Sequence, residues 1–344
     1  MKLHLQWADG GLLPDRLIRW GIRLLNQKRL RDENPGSLEA AARAKIDFVH
    51  MLQESPVALA TKLANEQHYE LPPQFFQKIL GKRLKYSGCL WPPGVKDLEG
   101  AEEAMLSLTC RRAQLEDGMR VLDLGCGWGS LSFWIAEKYP ASQIVAVSNS
   151  RLQGDFIRSR ARELGFSNIE TITADMNHFQ AHGPFDRVMS IEMFEHMRNW
   201  EKLLGRVAGW LEEKGKFFMH VFVHQTIPYL FEPKGDHDWM ARHFFTGGMM
   251  PSHDLALYFQ RDLVLENHWL VNGSHYEKTA EAWLRRLDQH REEILTLFTK
   301  VYGEKERAIW LQRWRIFFMA CSELFGARHG EEWLVAHHLM RKRL

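Results

Sequence analysis

Val121-Leu-Asp123-Leu-Gly125-Cys-Gly127-Trp-Gly129 decides the fold of this chain. A short apolar run suited to a buried strand ends in three alternating glycines, and the segment Leu131–Lys138 beyond them suits a helix. Glycines at such a junction allow tight turning and let the backbone approach a ligand closely. The spacing differs from the G-x-G-x-x-G of dinucleotide binders, whose helix N-terminus faces a pyrophosphate, and the Lys-Ser/Thr of a phosphate loop is missing. The stretch reads as a cradle for a nucleoside cofactor.

Outward from it, strands and helices alternate. Strands are expected at Ile144–Val147, Ile169–Thr173, Arg187–Ile191 and Lys216–Val221, with helices at Leu152–Leu164 and Trp200–Leu211. That order argues for a parallel sheet with helices on both faces. After Phe222 it stops, and a Gly/Pro/aromatic-rich insertion runs from His224 to about Ser252. A strand at Leu263–Val271, two long helices (Thr279–Phe298 and Glu304–Leu324) and a closing apolar stretch, Trp333–Met340, are expected to follow. Upstream, residues 13–30 form a basic amphipathic segment, with Leu13, Leu17, Ile18, Leu24 and Leu25 on one face and Arg16, Arg19 and Arg23 mostly opposite. Helices are expected next at Leu38–Leu52 and Pro56–Leu63. This divides the chain into a helical extension or lid, residues 1–85, and a catalytic domain, residues 86–344, whose insertion at about 224–330 forms the substrate pocket.

With 344 residues and 45% apolar composition, the chain can form one large α/β domain with appendages or two domains of ordinary size. Basic and acidic residues number 45 and 43, a net charge of +2 that argues against a nucleic-acid partner. The four cysteines form no metal-ligand spacing and read as free thiols of a reducing cytoplasm. No apolar run reaches bilayer length, and the N-terminus lacks a signal-peptide core. The basic segment could dock on a membrane surface, but a helix covering its own domain is the favoured reading. A monomer or a homodimer is compatible with these features.

Glu192-Met-Phe-Glu195-His196 follows the fourth strand, at the carboxyl edge where open α/β sheets bind ligands. Its two carboxylates and imidazole stand at i, i+3 and i+4, one face of the chain if that segment is helical. Phe222, Trp239, Phe244, Phe245, Trp314, Phe317 and Phe318 could form an apolar wall suited to cationic centres and flat rings. His224, His237, His243 and His253 fit no metal-ligand motif, so no metal is expected.

The form D-x-G-x-G-x-G resembles motif I of Rossmann-like S-adenosylmethionine-dependent methyltransferases. That resemblance implies a class I fold with a seven-stranded, mostly parallel sheet. The acidic residue usual after the second strand is replaced by Ser148-Asn149-Ser150 with Gln153, as in the cyclopropane-fatty-acid synthase superfamily. His68-Tyr-Glu-Leu-Pro72 and Tyr86-Ser87-Gly-Cys-Leu-Trp91 match that superfamily's upstream signature. By this resemblance Tyr86 and Ser87 close over the cofactor's methionine end, Asp175 and Met176 hold its adenine, and Ser148, Asn149 and Gln153 serve its ribose. Asp123, Gly125, Gly127, Gly129 and Ile191 complete the cofactor set. The lipid-modifying branch binds bicarbonate through a Glu, a His, a Tyr and a Cys that match Glu195, His220, Tyr276 and, by alignment, Gly88. Phe222 stands where that branch has a smaller aliphatic residue, and Glu192 where it has Gly. Glu192 and the segments Trp239–Gly248, Asn267–Tyr276, Trp314–Phe318 and Gly330–His337 instead resemble the coclaurine N-methyltransferase-like branch. The implied activity is methyl transfer to the nitrogen of a small aromatic or heterocyclic amine. His196 then acts as base, Glu192 anchors the ammonium, Glu195 orients or shares the proton, and His220, Phe222, Trp239, Phe244, Tyr276, Trp314, Phe317 and Phe318 meet substrate. The competing readings are methylation or cyclopropanation of unsaturated acyl chains, and a non-catalytic cofactor-binding protein.

Overall fold

The structure, a computed structural model, describes residues 7–59, 71–232 and 239–343. His68, Tyr69, Glu70 and His237, singled out in the sequence, lie outside these described residues. The helical start comprises α1 (Asp15–Asp32), α2 (Leu38–Glu54), α3 (Pro73–Ile79) and α4 (Leu98–Arg112). Alternation then begins with β1 (Arg120–Leu124), α5 (Ser130–Lys138), β2 (Gln143–Ser148), α6 (Arg151–Glu163), β3 (Ile169–Thr173) and β4 (Phe185–Ile191). It continues through α7 (Trp200–Trp210) and β5 (Leu211–His224). The remainder holds β6 (Tyr229–Leu230), α8 (Trp239–His243), β7 (Met249–Met250) and β8 (Leu263–Val271), then α9 (Ser274–Gln289), α10 (Arg291–Tyr302), α11 (Arg307–Phe325) and β9 (Trp333–Lys342).

The seven-stranded sheet has the order β3-β2-β1-β4-β5-β9-β8. Pairing is parallel from β3 to β5 and antiparallel for β5–β9 and β9–β8. Alternate residues of each strand feed opposite cores, as the pleat requires. Leu122, Val145 and Val188 pack on one side with Leu203, Leu204 and Val207 of α7. Val121, Ile144 and Met189 pack on the other with Leu131 and Ile135 of α5. Burial on both faces is what a parallel sheet demands. Side chains cap the helix starts, including Asp97 for α4, Ser150 for α6 and Asn199 for α7.

Several expectations are corrected. Residues 56–59 are not helical: Ala58 gives its N–H to Asn177 Oδ1 at 3.0 Å and its carbonyl accepts from Asn177 Nδ2 at 3.2 Å, so tertiary bonds claim the backbone. The single helix expected over Thr279–Phe298 is two, α9 and α10, hinged at His290, and both pack against α11. The closing apolar stretch is β9, and β5 extends to His224 to pair with it. On α1, Ile18 is buried, whereas Leu17, Leu24 and Leu25 are exposed. Arg19 does not face solvent but bonds Glu281 at 2.7 Å and Glu323 at 3.1 Å, which ties α1 to α9 and α11. No helix among the described residues is long and apolar enough to cross a membrane.

The extension meets the sheet domain through Glu102 of α4, which is fully buried. Its carboxylate accepts the backbone N–H groups of Gly81 and Arg83, each at 2.9 Å, and of Lys85 at 3.2 Å. These bonds fix the loop leading into Tyr86-Ser87. Glu102→Ala leaves two buried amides and a part-buried one unpaired and is expected to lower stability by about 2–3 kcal/mol in urea unfolding.

Candidate active site

The strand ends and the glycine loop enclose a cavity of about 1240 Å³, including its open mouth. Asp123, Gly125 and Gly127 line it from β1, Ser148, Asn149 and Gln153 from β2 and α6. Met176, Ile191, Tyr86 and Ser87 close it. Two expected members sit elsewhere. Gly129, at φ 82°, starts α5, and a Cβ there would come within 2.8 Å of Phe133 and 3.0 Å of Ile157, so it serves helix packing. Asp175 turns into its own loop, where Oδ1 accepts from Asn177 N at 2.8 Å, and Met176 takes the lining position.

The polar atoms of this cavity form a chain with one end left over. Ser148 Oγ donates to Gln153 Oε1 at 2.7 Å and accepts from Ser150 N at 3.0 Å. Gln153 Nε2 is buried with no protein partner, as are Trp128 Nε1 and Ser130 Oγ on the same wall. Buried donors of this kind want an acceptor, and a sugar hydroxyl can supply it. Asp123 is buried with Ser132 Oγ donating to it at 2.7 Å, and burial pushes its carboxyl up to about 6.

A second cavity of about 750 Å³ opens beside the first. Phe222, Phe231, Phe245, Phe317 and Phe325 give it aromatic walls, and Met240, Met250 and Leu324 fill the gaps. Tyr276, Trp283 and Cys321 add a hydroxyl, an indole and a thiol. Four of the seven residues expected in the wall line neither cavity and are core instead. Trp314 and Phe318 are fully buried. Phe244 stacks on Phe317 from behind, centroids 4.5 Å apart, and Trp239 gives its indole N–H to Asp9 at 2.9 Å. The missed residues include Phe231, Trp283 and Phe325. Phe325 lies within Glu323-Leu-Phe325-Gly326 and stacks on Tyr276 at 4.2 Å. Nothing local in the sequence distinguishes a lining phenylalanine from a core one.

Glu192 and His196, with Tyr86, line both cavities. The trio does not share a helical face as the spacing suggested. Glu192 leaves β4 in the left-handed region at φ 49°, and Phe194–His196 form a short 3-10 turn. That unusual backbone for a non-glycine residue is held by Glu192 N donating to His220 O at 2.8 Å. The Glu192 side chain is 8% exposed. Its Oε1 accepts from Gly88 N at 2.8 Å and lies 3.1 Å from His220 Nε2, and its Oε2 accepts from Tyr276 Oη at 2.8 Å. His220 itself is fully buried behind Glu192 and lines neither cavity, a correction to its expected substrate contact.

Burial raises the Glu192 carboxyl, while Lys85, the Gly88 amide, Tyr276 and His196 pull it down. Burial and the neighbouring Glu192 charge drive Glu195 well above the carboxylate range. Glu195 has only the Phe222 N–H, at 3.3 Å, on Oε1, and its Oε2 has no partner. When two close carboxyls share one proton, it goes to the one with fewer donors. Burial lifts both carboxyls, and the three contacts on Glu192 make it the more readily ionised of the two and Glu195 the more readily protonated. His196, lowered to about 4 by burial against the opposing pull of Glu192, is a neutral imidazole. Glu192 and His196 thus meet where the cavities join, whereas Glu195 is fully buried and lines neither cavity, a correction to its expected place beside the substrate.

The model of the mycolic acid cyclopropane synthetase family matches residues 60–333. The chain belongs to this family. It is 36% identical to (S)-coclaurine N-methyltransferase of Thalictrum flavum subsp. glaucum over 337 residues, 97% of this chain and 93% of the relative. It is 33% identical to pavine N-methyltransferase of the same plant, over 97% of this chain and 95% of that one. A crystal structure of coclaurine N-methyltransferase bound to N-methylheliamine and S-adenosylhomocysteine superposes with a TM-score of 0.95 at 35% identity, covering 98% of each chain. This family member is an S-adenosylmethionine-dependent methyltransferase.

The unpaired amide of Gln153 gives a direct test. Gln153→Leu is expected to weaken S-adenosylhomocysteine binding about tenfold by calorimetry, the worth of one buried hydrogen bond. Asp123 gives a pH test. A cationic amino group bound near it favours the charged carboxylate, so below about 6 a proton must leave on binding. Cofactor affinity is expected to fall by up to about tenfold per pH unit below that point, and Asp123→Asn to abolish the trend.

Proposed function

We propose that this enzyme methylates the nitrogen of an aromatic or heterocyclic amine of the benzylisoquinoline kind for which its relatives are named. The observation that carries the reading is the junction: Tyr86, Glu192 and His196 border both the polar, glycine-floored cavity and the aromatic one. We assign the first cavity to the cofactor, with Gln153 and Ser148 toward the ribose, Met176 toward the adenine, and Tyr86, Ser87 and Asp123 toward the methionine end. When bound, S-adenosylmethionine supplies an electrophilic methyl group on sulfur for in-line displacement.

The chain's own residues do the rest. Aromatic faces of Phe222, Phe245, Phe317 and Phe325 suit a flat ring and a cationic nitrogen. The Glu192 carboxylate anchors the ammonium, which at neutral pH has no lone pair to offer. His196, neutral at neutral pH, accepts the N–H proton and so frees the nitrogen lone pair that methyl transfer would require. The imidazolium formed is stabilised by Glu192, whose charge raises the proton affinity of His196. Burial and the neighbouring Glu192 charge favour the neutral form of Glu195, which limits the negative charge behind the pocket. Holding amine and methyl donor in adjoining cavities makes the step effectively unimolecular. Leu59, Leu84 and Lys85 of the helical extension and Thr246 and Gly247 of the insertion line the first cavity.

The experiment offers purified enzyme with S-adenosylmethionine a panel of isoquinoline amines and, separately, vesicles of unsaturated phospholipid, and reads product mass. A gain of one methyl group on an amine is expected. A one-carbon gain on acyl chains without amine turnover would sink the reading. His196→Ala is expected to lower kcat by about 10²–10⁴, the usual worth of a general base. Glu192→Gln is expected to raise the amine KM strongly while leaving S-adenosylhomocysteine affinity near wild type.

A further inference from the structure

Behind Glu192 runs a chain of hydrogen bonds that the catalytic reading does not use. His220 Nδ1 lies 2.9 Å from His337 Nε2 on β9, and His337 Nδ1 lies 2.9 Å from an Arg112 guanidinium nitrogen at the end of α4. With the 3.1 Å contact of His220 Nε2 to Glu192 Oε1, the chain links a half-buried arginine to the active-site carboxylate across the neighbouring strands β5 and β9.

The direction of this chain follows from its end. Arg has donors and no acceptor, and a neutral imidazole has one of each. His337 Nδ1 must therefore accept from Arg112, which leaves Nε2 as its donor. His220 Nδ1 must then accept from His337, and His220 Nε2–H must donate to Glu192. The opposite orientation would set two N–H groups head to head at Arg112. Both imidazoles are neutral: burial, with Lys85 and Arg112 nearby, holds His220 and His337 well below the usual histidine range. His220 and His337 are fully buried, so no solvent competes for these bonds.

We propose that Arg112 is a positioning residue for amine binding, fixing the tautomers of His337 and His220 so that a third donor converges on Glu192 and keeps it an anion. The inference rests on the reading of Glu192 as the ammonium anchor. Without Arg112, His337 can adopt either tautomer and His220 can present a lone pair to Glu192, which favours the protonated acid. Other groups face the carboxylate and stay unchanged: Lys85 and the Gly88 amide from the loop, Tyr276 from α9, Cys321 from α11, and Glu195 and His196 from the turn. Arg112 is itself faced by Arg111 and by the Trp269 ring, 4.9 Å from its guanidinium carbon, and His338 lies beside His337.

The test measures kcat and amine KM against pH, at saturating cofactor, for wild type, Arg112→Met, Arg112→Lys and Glu192→Gln. Loss of a donor to the carboxylate raises its pKa, so Arg112→Met should move the acid limb of kcat/KM up by about one pH unit. The amine KM should rise several-fold at pH 7 with kcat little changed, and Arg112→Lys, still a donor, should restore both. An unshifted limb and KM in Arg112→Met, in an enzyme whose Glu192→Gln variant loses amine affinity, would overturn the relay alone. An unchanged KM in Glu192→Gln would instead overturn the anchor. Nitrogen-15 NMR of histidine-labelled wild type, assigned with His337→Gln, gives a reading independent of variant folding. Neutral imidazoles protonated at Nε2 are expected for both His220 and His337, and an Nδ1–H or doubly protonated ring at either would overturn the relay.

Discussion

A buried carboxylate ringed by hydrogen-bond partners is the constraint on which the rest of this site depends. Removing an ion from water costs several kcal/mol unless donors replace the lost hydration. Glu192 receives those donors from three places remote in sequence: the loop at Gly88, the strand β5 at His220 and the helix α9 at Tyr276. The Tyr86–Gly88 loop, the sheet and the helical cover are thus each fastened to one side chain. The left-handed backbone at Glu192 is part of the same arrangement, since it turns the side chain out of the strand direction toward the cover. Its neighbours respond to the same burial: Glu195 is driven well above the carboxylate range, and His196, lowered to about 4, remains unprotonated at neutral pH.

What sequence reasoning recovered divides along the reach of the interactions involved. The glycine loop and the alternating strands and helices were legible because their signals are local: glycines at a strand end, apolar periods of 2 and 3.6. Strand β3 matches its expected bounds, Ile169–Thr173, and β8 matches Leu263–Val271. Where one segment answers to another, the local signal failed. Ala58 is extended because Asn177 holds its backbone, and His290 breaks a continuous apolar stripe because two helices must both reach α11. The aromatic wall was only partly right for a related reason. Phe317 and Phe318 are neighbours on α11, yet the first lines the cavity and the second faces the core. A helix only a few residues out of phase would exchange them, and composition carries no such phase.

The active-site residues themselves were legible by resemblance, their arrangement was not. The i, i+3, i+4 spacing of Glu192, Glu195 and His196 suggested one helical face. The structure uses a left-handed residue and a 3-10 turn instead, which sends Glu192 toward Tyr276 and Glu195 toward the Phe222 amide. His220 and Tyr276 were expected against substrate. His220 bonds the carboxylate from behind, whereas Tyr276 both bonds it and lines the aromatic cavity.

That geometry explains how one scaffold changes from an alkene to an amine. The lipid-modifying branch that the sequence resembles assembles a histidine, a tyrosine, a glutamate and a cysteine around bicarbonate, a diffusible anion and base. In this chain the matching histidine and tyrosine, His220 and Tyr276, bond the carboxylate of Glu192 instead. A covalently held carboxylate thus occupies the donors that would otherwise serve a free one. Gly88 supplies the room. A Cβ at Gly88 would stand 3.0 Å from the Tyr276 ring and 3.4 Å from Glu192 Oε1, so the aligned cysteine would crowd the tyrosine that bonds this glutamate. Cys89, one residue later, is buried and turned to the carbonyl of Ser87 at 3.5 Å, away from that role. Anchoring the charge changes what the pocket selects. A fixed carboxylate excludes a second anion by repulsion and attracts a substrate that arrives as a cation, and an aliphatic amine at neutral pH is such a substrate.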